Sequence, residues 1–261
     1  MLGSLARDSV VRLFGLTARL GLHRLPLFNR VFLALYSVYK KYVEAGPIEA
    51  LREFVPEGSL VIDVGANVGF FALRFANWVG DAGKVIAIEP EDHNFNALVA
   101  ALKREGLSDR VHALKAVAAA KPGTTFLEIN PLHPADHKLS RDETGLPVTA
   151  VTLDELVRDH AGATPALIKI DVQGAEMLVL EGAAETLRTA GPALFVELHE
   201  DGLNKFGTSV SAILDYLSAC GYQAYWLSPS APHHQASQSE IHDKVARIGY
   251  VDVLFLKAPL P

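Results

Sequence analysis

The sequence predicts an α/β fold built around a mostly parallel β-sheet, and three observations support this prediction. Short apolar stretches alternate with helical patterns from residue 59 onward, as is typical of parallel strands joined by helical crossovers. Segments such as LVIDV and ALIKID are apolar almost throughout, as expected for strands covered on both faces. The last two strand-like segments have no helical pattern between them, which predicts an antiparallel hairpin at the edge of the sheet.

The length and composition suit one enlarged α/β domain, because 261 residues with a 49% apolar share can bury a substantial core. We predict strands over 59–64, 84–88, 111–117, 124–129, 149–151, 166–171, 193–198, 222–227 and 248–256. We predict helices over 68–79, 92–104, 153–160, 176–188 and 210–219. A polar insertion, 131–147, interrupts this pattern, and a loop rich in Ser, Pro, His and Gln, 228–243, joins the last two strands.

Residues 1–45 form a separate basic segment in front of this domain, which we place at 46–261. The segment carries seven Lys and Arg against two acidic residues, a net charge of +5, while the rest of the chain carries −11. Apolar stripes at helical spacing on either side of Pro26 predict two amphipathic helices. Three roles stay open for them: a cap on the main domain, peripheral contact with an anionic membrane, or contact with a partner helix or a second copy.

The composition excludes several other classes of protein. The single cysteine, Cys220, excludes an internal disulfide framework and a cysteine-based zinc site, and it indicates a reducing, cytoplasmic location. No apolar run approaches the roughly 20 residues that a membrane-spanning helix needs. We expect no nucleic-acid partner, because phosphate binding needs a positive surface and the main domain is acidic.

The most informative segment is VIDVGANVGFF, residues 61–71, where a strand ends in a glycine-containing turn. Asp63 lies at the end of the strand, Gly65 begins the turn and Gly69 opens the next helix. Backbone amides in such a turn can approach a ligand closely because glycine has no Cβ atom. The next strand ends at Glu89, about twenty residues later, where a carboxylate can accept hydrogen bonds from both hydroxyls of a ribose.

The spacing of the glycines favours S-adenosylmethionine over NAD as the ligand. A dinucleotide turn has the pattern G-x-G-x-x-G, whereas the turn GANVG, residues 65–69, lacks the middle glycine. Asp63 would place negative charge beside a pyrophosphate, but it suits the ammonium or sulfonium of a methionine-like donor. No G-K-[ST] sequence follows the turn, which excludes a P-loop.

A second group of polar residues lies at the ends of two later strands. Lys169 and Asp171 are two apart in LIKIDVQGAE, residues 167–176, so both side chains face one side of the strand. Glu197 and His199 end the following strand. Because ligands bind at the carboxyl ends of parallel strands, this acidic rim can bind a metal, orient a hydroxyl or neutralise a cation, and we assign no metal ligands. Lys169 could instead pair with a neighbouring carboxylate in a purely structural role.

Together these motifs resemble the FkbM-type family of S-adenosylmethionine-dependent methyltransferases. The resemblance rests on VIDVGANVGFF (61–71), IEP (88–90), LIKIDVQGAE (167–176) and FVELHE (195–200), and it covers approximately residues 44–258. It implies the class I methyltransferase fold, which is Rossmann-like. It also implies methyl transfer to the oxygen of a hydroxyl on a sugar, a glycolipid or a secondary metabolite.

The resemblance also implies roles for individual residues. The expected cofactor-binding set is Asp63, Gly65, Ala66, Asn67, Gly69, Glu89 and Val117. Of these, Glu89 would bind the ribose and Val117 would lie near the adenine, while the turn would hold the methionine end. Asp171 and His199 match recurrent positions of the family and are the main catalytic candidates. The segment 131–147 is the expected acceptor-side insertion, and its His137 is a third catalytic candidate, as a general base.

Two other functions stay open on the sequence alone. An NAD-linked oxidoreductase could use the same architecture, although the missing glycine argues against it. A non-catalytic protein that docks on a membrane would use the basic residues of segment 1–45. The methyltransferase interpretation predicts a small-molecule or glycan hydroxyl as the partner, and it leaves a homo-oligomer open.

Overall fold

The computed structural model describes residues 48–128, 138–139, 145–160, 164–229 and 233–257. The chain divides into two compact units, Met1–Ala50 and Leu51–Pro261. The predicted helices of segment 1–45, His137 and most of the 131–147 insertion lie outside the described residues. The domain boundary expected near residue 45 therefore stays a prediction.

Strands and helices alternate through the described part of Leu51–Pro261. The strands are β1 (Leu60–Val64), β2 (Lys84–Ile88), β3 (Val111–Leu114), β4 (Val117–Ala118), β5 (Gly123–Glu128), β6 (Lys138–Leu139), β7 (Leu146–Val151), β8 (Pro165–Ile170), β9 (Ala193–His199), β10 (Tyr222–Trp226), β11 (His234–Gln235) and β12 (Tyr250–Lys257). The helices are α1 (Phe70–Trp78), α2 (Asp92–Arg104), α3 (Leu153–Asp159), α4 (Glu176–Glu181), α5 (Ala184–Thr189), α6 (Glu200–Lys205), α7 (Val210–Ala219) and α8 (Gln238–Ile248). A 3-10 helix, Glu49–Phe54, precedes β1.

The main sheet has eight strands in the order β11-β10-β12-β9-β8-β1-β2-β3. The five strands from β9 to β3 pair in parallel, whereas β12 runs antiparallel to both β9 and β10. This arrangement confirms the predicted α/β fold with a mostly parallel sheet and an antiparallel edge. The pairing of β1 with β8 places Asp63 opposite Lys169.

The final strands differ from the prediction in how they are connected. The expected hairpin loop, 228–243, contains the start of helix α8, so β10 and β12 are not joined by a simple turn. A capping box between Ser237 and Glu240 begins this helix. Only Ile241 and Val245 of the helix are buried, one turn apart, because the helix lies on the surface with a narrow apolar stripe. The polar remainder of the helix concealed that stripe in the sequence.

A second sheet of four strands lies beside the main one, in the order β4-β7-β5-β6. The strand predicted over 111–117 is two short strands, because the chain leaves the main sheet after β3 and enters the second sheet at β4. Within the predicted insertion, Lys138–Leu139 pairs antiparallel with the end of β5. The insertion therefore contributes a strand to this second sheet.

The core fixes the carboxyl ends of the central strands. All five residues of β1 are buried, and so are the last four residues of β2 and of β8. These ends face the loops that carry the predicted site, so the loops start from positions with little freedom to move. Within the described ranges, no helix combines the length and apolarity needed to cross a bilayer.

Candidate active site

The turn between β1 and α1 is tied to both neighbouring strands. The amides of Gly65 and Ala66 each donate to the carbonyl oxygen of Ile88, at 3.0 Å, which joins the turn to β2. Gly65 has a φ of 75°, and a Cβ atom there would lie 1.9 Å from the carbonyl oxygen of Asp171. Only glycine fits this position, and its absence of a side chain lets the turn lie directly against the end of β8.

The turn also holds the carboxylate that ends the second strand. The N–H of Asn67, a residue with a φ of 50°, donates to Oε2 of Glu89 at 2.8 Å. The N–H of Glu91 donates to Oε1 of Glu89 at 3.1 Å. Burial raises the pKa of Glu89 above its usual range, and these hydrogen bonds lower it in part. The side chain of Asn94 also hydrogen-bonds the Glu89 carboxylate, which is therefore fixed in place at the cavity.

An open cavity of about 630 Å³, including solvent at its mouth, lies at these strand ends. Its lining includes four predicted cofactor residues, Gly65, Asn67, Glu89 and Val117, together with the predicted catalytic residue Asp171. Leu127 of the second sheet adds to its apolar end, beside Val117. Apolar walls with a few convergent polar groups are typical of sites that bind small molecules.

Asp63 lies behind the turn and does not line the cavity. Its side chain is fully buried, and the Nζ atom of Lys169 lies 3.3 Å from its Oδ1 atom. The same ammonium donates a 2.8 Å hydrogen bond to the carbonyl oxygen of Gly65. Burial raises the pKa of Asp63, and the charge of Lys169 lowers it in part. The cation beside Asp63 is thus a lysine of this chain, in the structural role considered for Lys169, rather than a bound donor.

Ala66 and Gly69 shape the turn and also lie outside the lining. The N–H of Gly69 donates to the carbonyl oxygen of Ala66 at 2.9 Å, which closes the turn before α1. Gly69 has a φ of 95°, and a Cβ atom there would lie 2.8 Å from the side chain of Leu98 on α2. This glycine therefore allows α1 and α2 to pack closely around the turn.

The ends of β8 and β9 are joined by Gln173, which the sequence reasoning missed. Its Nε2 atom donates to Oδ1 of Asp171 and to Oε2 of Glu197, both at 3.0 Å. Lys169 approaches the other oxygen of Asp171, with 3.7 Å between Nζ and Oδ2. A neutral amide in a loop gives little chemical signal in a sequence. The available clue is its position between a strand-end acid and Gly174.

The two histidine candidates are less closely connected to the cavity. His199 ends β9 and does not line the cavity; its Nδ1 atom is buried and has no hydrogen-bond partner among the described residues. His137 is outside the described part of the chain. Across the described ranges, no group of three His, Cys, Asp or Glu side chains is arranged to hold a metal ion.

The residues that line the cavity fit a nucleoside with a charged amino-acid tail. Gly65 and Asn67 line the cavity, so the backbone of the turn faces the space that a ligand would occupy. The Glu89 carboxylate lines the cavity and can accept a hydrogen bond from a ribose hydroxyl. Asp171 supplies negative charge on the opposite side of the turn. These are the groups that a site for S-adenosylmethionine is expected to present to its ligand.

Comparison with known proteins gives a family match over more than half of the chain. The family model described as "Methyltransferase FkbM domain" matches residues 63–224, which is more than half of the chain. The matched range begins at the acid before the glycine turn and includes Glu89, Asp171 and Gln173. The match confirms the family resemblance expected from the sequence.

Individual relatives cover different shares of the chain. The hexuronic acid methyltransferase AglP of Haloferax volcanii is 28% identical over 157 residues, which are 60% of this chain and 62% of that protein. The structure of methyltransferase FkbM from Methylobacillus flagellatus aligns with 86% of this chain and 54% of that one, at 17% identity and a TM-score of 0.48. A SAM-dependent methyltransferase from Aquifex aeolicus aligns with 81% and 89%, at 17% identity and a TM-score of 0.45. The chain spans less than two thirds of the length of the first two proteins.

Proposed function

The chain belongs to the FkbM methyltransferase family, and on this premise we propose that it transfers a methyl group from S-adenosylmethionine to a hydroxyl oxygen of a sugar. S-adenosylmethionine is the methyl donor of this family. The observation that carries the proposal is the cavity in which the Gly65 turn, Glu89 and Asp171 meet. The family assignment favours this function over the NAD-linked oxidoreductase that the sequence left open.

Three parts of the cavity would hold the donor. Glu89 would accept hydrogen bonds from the ribose hydroxyls, since its carboxylate is already oriented by the amides of Asn67 and Glu91. The apolar end at Val117 and Leu127 would cover the adenine. The turn at Gly65 would receive the methionine end. When bound, S-adenosylmethionine supplies a methyl group on a positively charged sulfur, which an oxygen nucleophile can displace.

Asp171 is the residue best placed to act on the acceptor. Its carboxylate lines the cavity, and Gln173 and Lys169 approach different oxygens of it. A carboxylate held in this way can accept a hydrogen bond from the acceptor hydroxyl, orient its oxygen and take its proton at Oδ1 or Oδ2. The roles of His199 and His137 as general base stay predictions. Peripheral membrane contact, a homo-oligomer and a cytoplasmic location also stay predictions.

The choice of a sugar acceptor rests on the similarity to AglP, whose name states that it methylates a hexuronic acid. A hexuronic acid offers two kinds of oxygen, hydroxyl and carboxylate. The carboxylates of Asp171 and Glu197 lie together at the ends of β8 and β9, where the acceptor would bind, and this part of the site is called the acceptor edge below. Because like charges repel, this edge favours a neutral hydroxyl over a carboxylate as the methylated oxygen.

Methyl-labelled S-adenosylmethionine tests the proposal with three acceptors: p-nitrophenyl glucuronide, p-nitrophenyl glucoside and catechol. We expect label on the sugar ring that survives mild alkali, because a methyl ether is stable under conditions that hydrolyse a methyl ester. Alkali-labile label on the glucuronide would contradict transfer to a hydroxyl. Label on catechol alone would contradict the sugar acceptor, and transfer lost in Asp171→Asn would support the role of that carboxylate.

A further inference from the structure

Glu176 is a buried carboxyl group beside the cavity that the proposed reaction does not use. It is the first residue of α4 and is 1% exposed. Its Oε1 atom accepts hydrogen bonds from the N–H groups of Val172, at 3.2 Å, and Gly174, at 3.0 Å. Its Oε2 atom is buried and has no hydrogen-bond partner among the described residues. Carboxyl groups are rarely buried to this degree unless they are paired or hydrogen-bonded.

The two amides that Glu176 holds lie on either side of Gln173. Gln173 has a φ of 57°, a left-handed conformation that side-chain-bearing residues adopt only when their surroundings impose it. Gly174 has a φ of 115°, and a Cβ atom there would lie 2.4 Å from the carbonyl group of Gly202 on α6. The loop is therefore fixed by Glu176 on one side and by close backbone packing against α6 on the other.

The conformation of this loop decides where the Gln173 amide points. With Gln173 left-handed, its Nε2 atom reaches both Asp171 and Glu197, each at 3.0 Å. An extended or right-handed residue at this position would send the side chain in another direction. The orientation of Asp171 at the cavity thus depends on hydrogen bonds that Glu176 accepts from the residues on either side of Gln173.

We propose that Glu176 is a positioning residue for the acceptor edge. By accepting the N–H groups of Val172 and Gly174, its carboxyl holds Gln173 in the conformation in which the amide bridges Asp171 and Glu197. The proposal rests on the proposed function only in treating this edge as the acceptor side. The geometry of the loop stands independently of the identity of the acceptor.

The protonation state of Glu176 determines which substitutions keep the hydrogen-bond acceptor at Oε1 and which remove it. Its pKa is raised to about 7, mainly by burial and to a smaller extent by the charge of Asp171, while backbone N–H groups oppose the rise in part. A proton on Oε2 leaves Oε1 free to accept both amides, so the protonated group can still hold the loop. Glu176→Gln copies that form, with an amide nitrogen in the place of Oε2. Glu176→Ala removes the acceptor, and Glu176→Asp shortens the side chain by one methylene and withdraws it from the two N–H groups.

Hydrogen exchange and NMR on the ligand-free full chain test the proposal. In Glu176→Ala and Glu176→Asp, we expect the amides of Val172 and Gly174 to exchange at least about tenfold faster than in the wild type, because each loses its acceptor. We expect the side-chain NH₂ signals of Gln173 to move in both variants. In Glu176→Gln, the protection and the Gln173 signals should stay close to wild type. Glu181→Ala, at the other end of α4, is the matched control and should change neither.

Each result has a definite meaning. Wild-type exchange rates and unmoved Gln173 signals in Glu176→Asp would overturn the proposal, even if Glu176→Ala failed to fold. A Glu176→Gln variant as disturbed as Glu176→Asp would also overturn it. Binding of S-adenosylmethionine by the wild type is measured separately by calorimetry. Absence of binding would contradict the proposed function. A loop whose exchange rates and Gln173 signals do not change in the Glu176 variants would contradict the positioning role of Glu176 and leave the proposed function unaffected.

Discussion

The ammonium of Lys169 lies 3.3 Å from the carboxylate of Asp63, and both side chains are buried beneath the cavity. The strand pairing brings the two residues opposite each other on β1 and β8. Because the lysine also donates to the carbonyl oxygen of Gly65, the ion pair supports the glycine turn from behind. The turn that would receive the donor therefore rests on an internal pair of charges.

Removal of one member of this pair should destabilise the protein strongly. We expect Lys169→Met to lower the free energy of unfolding by about 3–5 kcal/mol, because Asp63 would become a buried charge without its partner. The double variant Asp63→Asn with Lys169→Met should recover part of the loss. Urea denaturation measures both. Lys115→Met removes a surface ion pair with Asp92 and should cost less than about 1 kcal/mol. Equal losses of unfolding free energy in Lys115→Met and Lys169→Met would contradict the assignment of Lys169 and Asp63 as a stabilising buried ion pair.

A methyl group at Gly65 should disrupt the site. In Gly65→Ala the new Cβ atom would meet the carbonyl oxygen of Asp171, so the turn and β8 must separate. We expect calorimetry to show loss of S-adenosylmethionine binding in a variant that is still folded. Gly106→Ala is the control, since Gly106 also has a positive φ, 68°, but has no atom within 4 Å of an added Cβ. If both variants bind the donor equally well, the close contact has no role in binding.

The carboxylate of Glu89 should make donor binding depend on pH. Ribose recognition needs the ionised form, and burial raises the pKa of Glu89 above its ordinary value of 4.5. Affinity should therefore fall as the pH is lowered through that raised pKa. Calorimetry with Glu89→Gln should show at least about tenfold weaker binding, whose residual pH dependence is smaller than in the wild type. Glu185→Gln, which changes an exposed residue of α5, should behave like the wild type.

The buried carboxyl of Glu176 should make the protein less stable as the pH rises. Its pKa is about 7 in the folded state and 4.5 in the unfolded chain, so the folded state binds more protons between these values. Stability contributed by the protonated group is present below pH 4.5 and is lost by about pH 8. The difference between the two pKa values corresponds to about 3 kcal/mol. Urea denaturation at pH 5 and pH 8 should show this loss in the wild type relative to Glu176→Gln.

The control for this pH effect is Glu181→Gln, which changes an exposed carboxylate at the end of the same helix. Its stability should follow the wild type at both pH values. A constant difference in stability between wild type and Glu176→Gln from pH 5 to pH 8 would show that the buried carboxyl does not titrate in this range.

The parts of the site that the sequence predicted are those with a strict local pattern. Alternating strands and helices determine where strands end, so the pattern alone places Glu89 and Asp171 at one edge of the sheet. The turn at Gly65 is likewise recognisable, because its conformation requires a residue without a side chain. These features depend on short stretches of chain.

The features that the sequence did not predict depend on contacts between distant segments. Asp63 was expected to meet a cationic ligand, but the register of β1 and β8 supplies Lys169 as its partner. Gln173 escaped notice because its role comes from two partners, one of which, Glu197, lies on the next strand. The missed helix α8 has only two buried residues in an otherwise polar segment, so it resembled a polar loop in the sequence.

Isothermal titration calorimetry of S-adenosylmethionine against the wild-type protein tests the central claim most directly. The arrangement of Gly65, Glu89 and Asp171 around one cavity predicts a single site per chain with micromolar affinity, roughly −8 kcal/mol. The heat signal should disappear in Gly65→Ala and persist in Gly106→Ala. A folded wild-type protein that gives no binding heat, and is not protected by the ligand in thermal unfolding, would contradict the account.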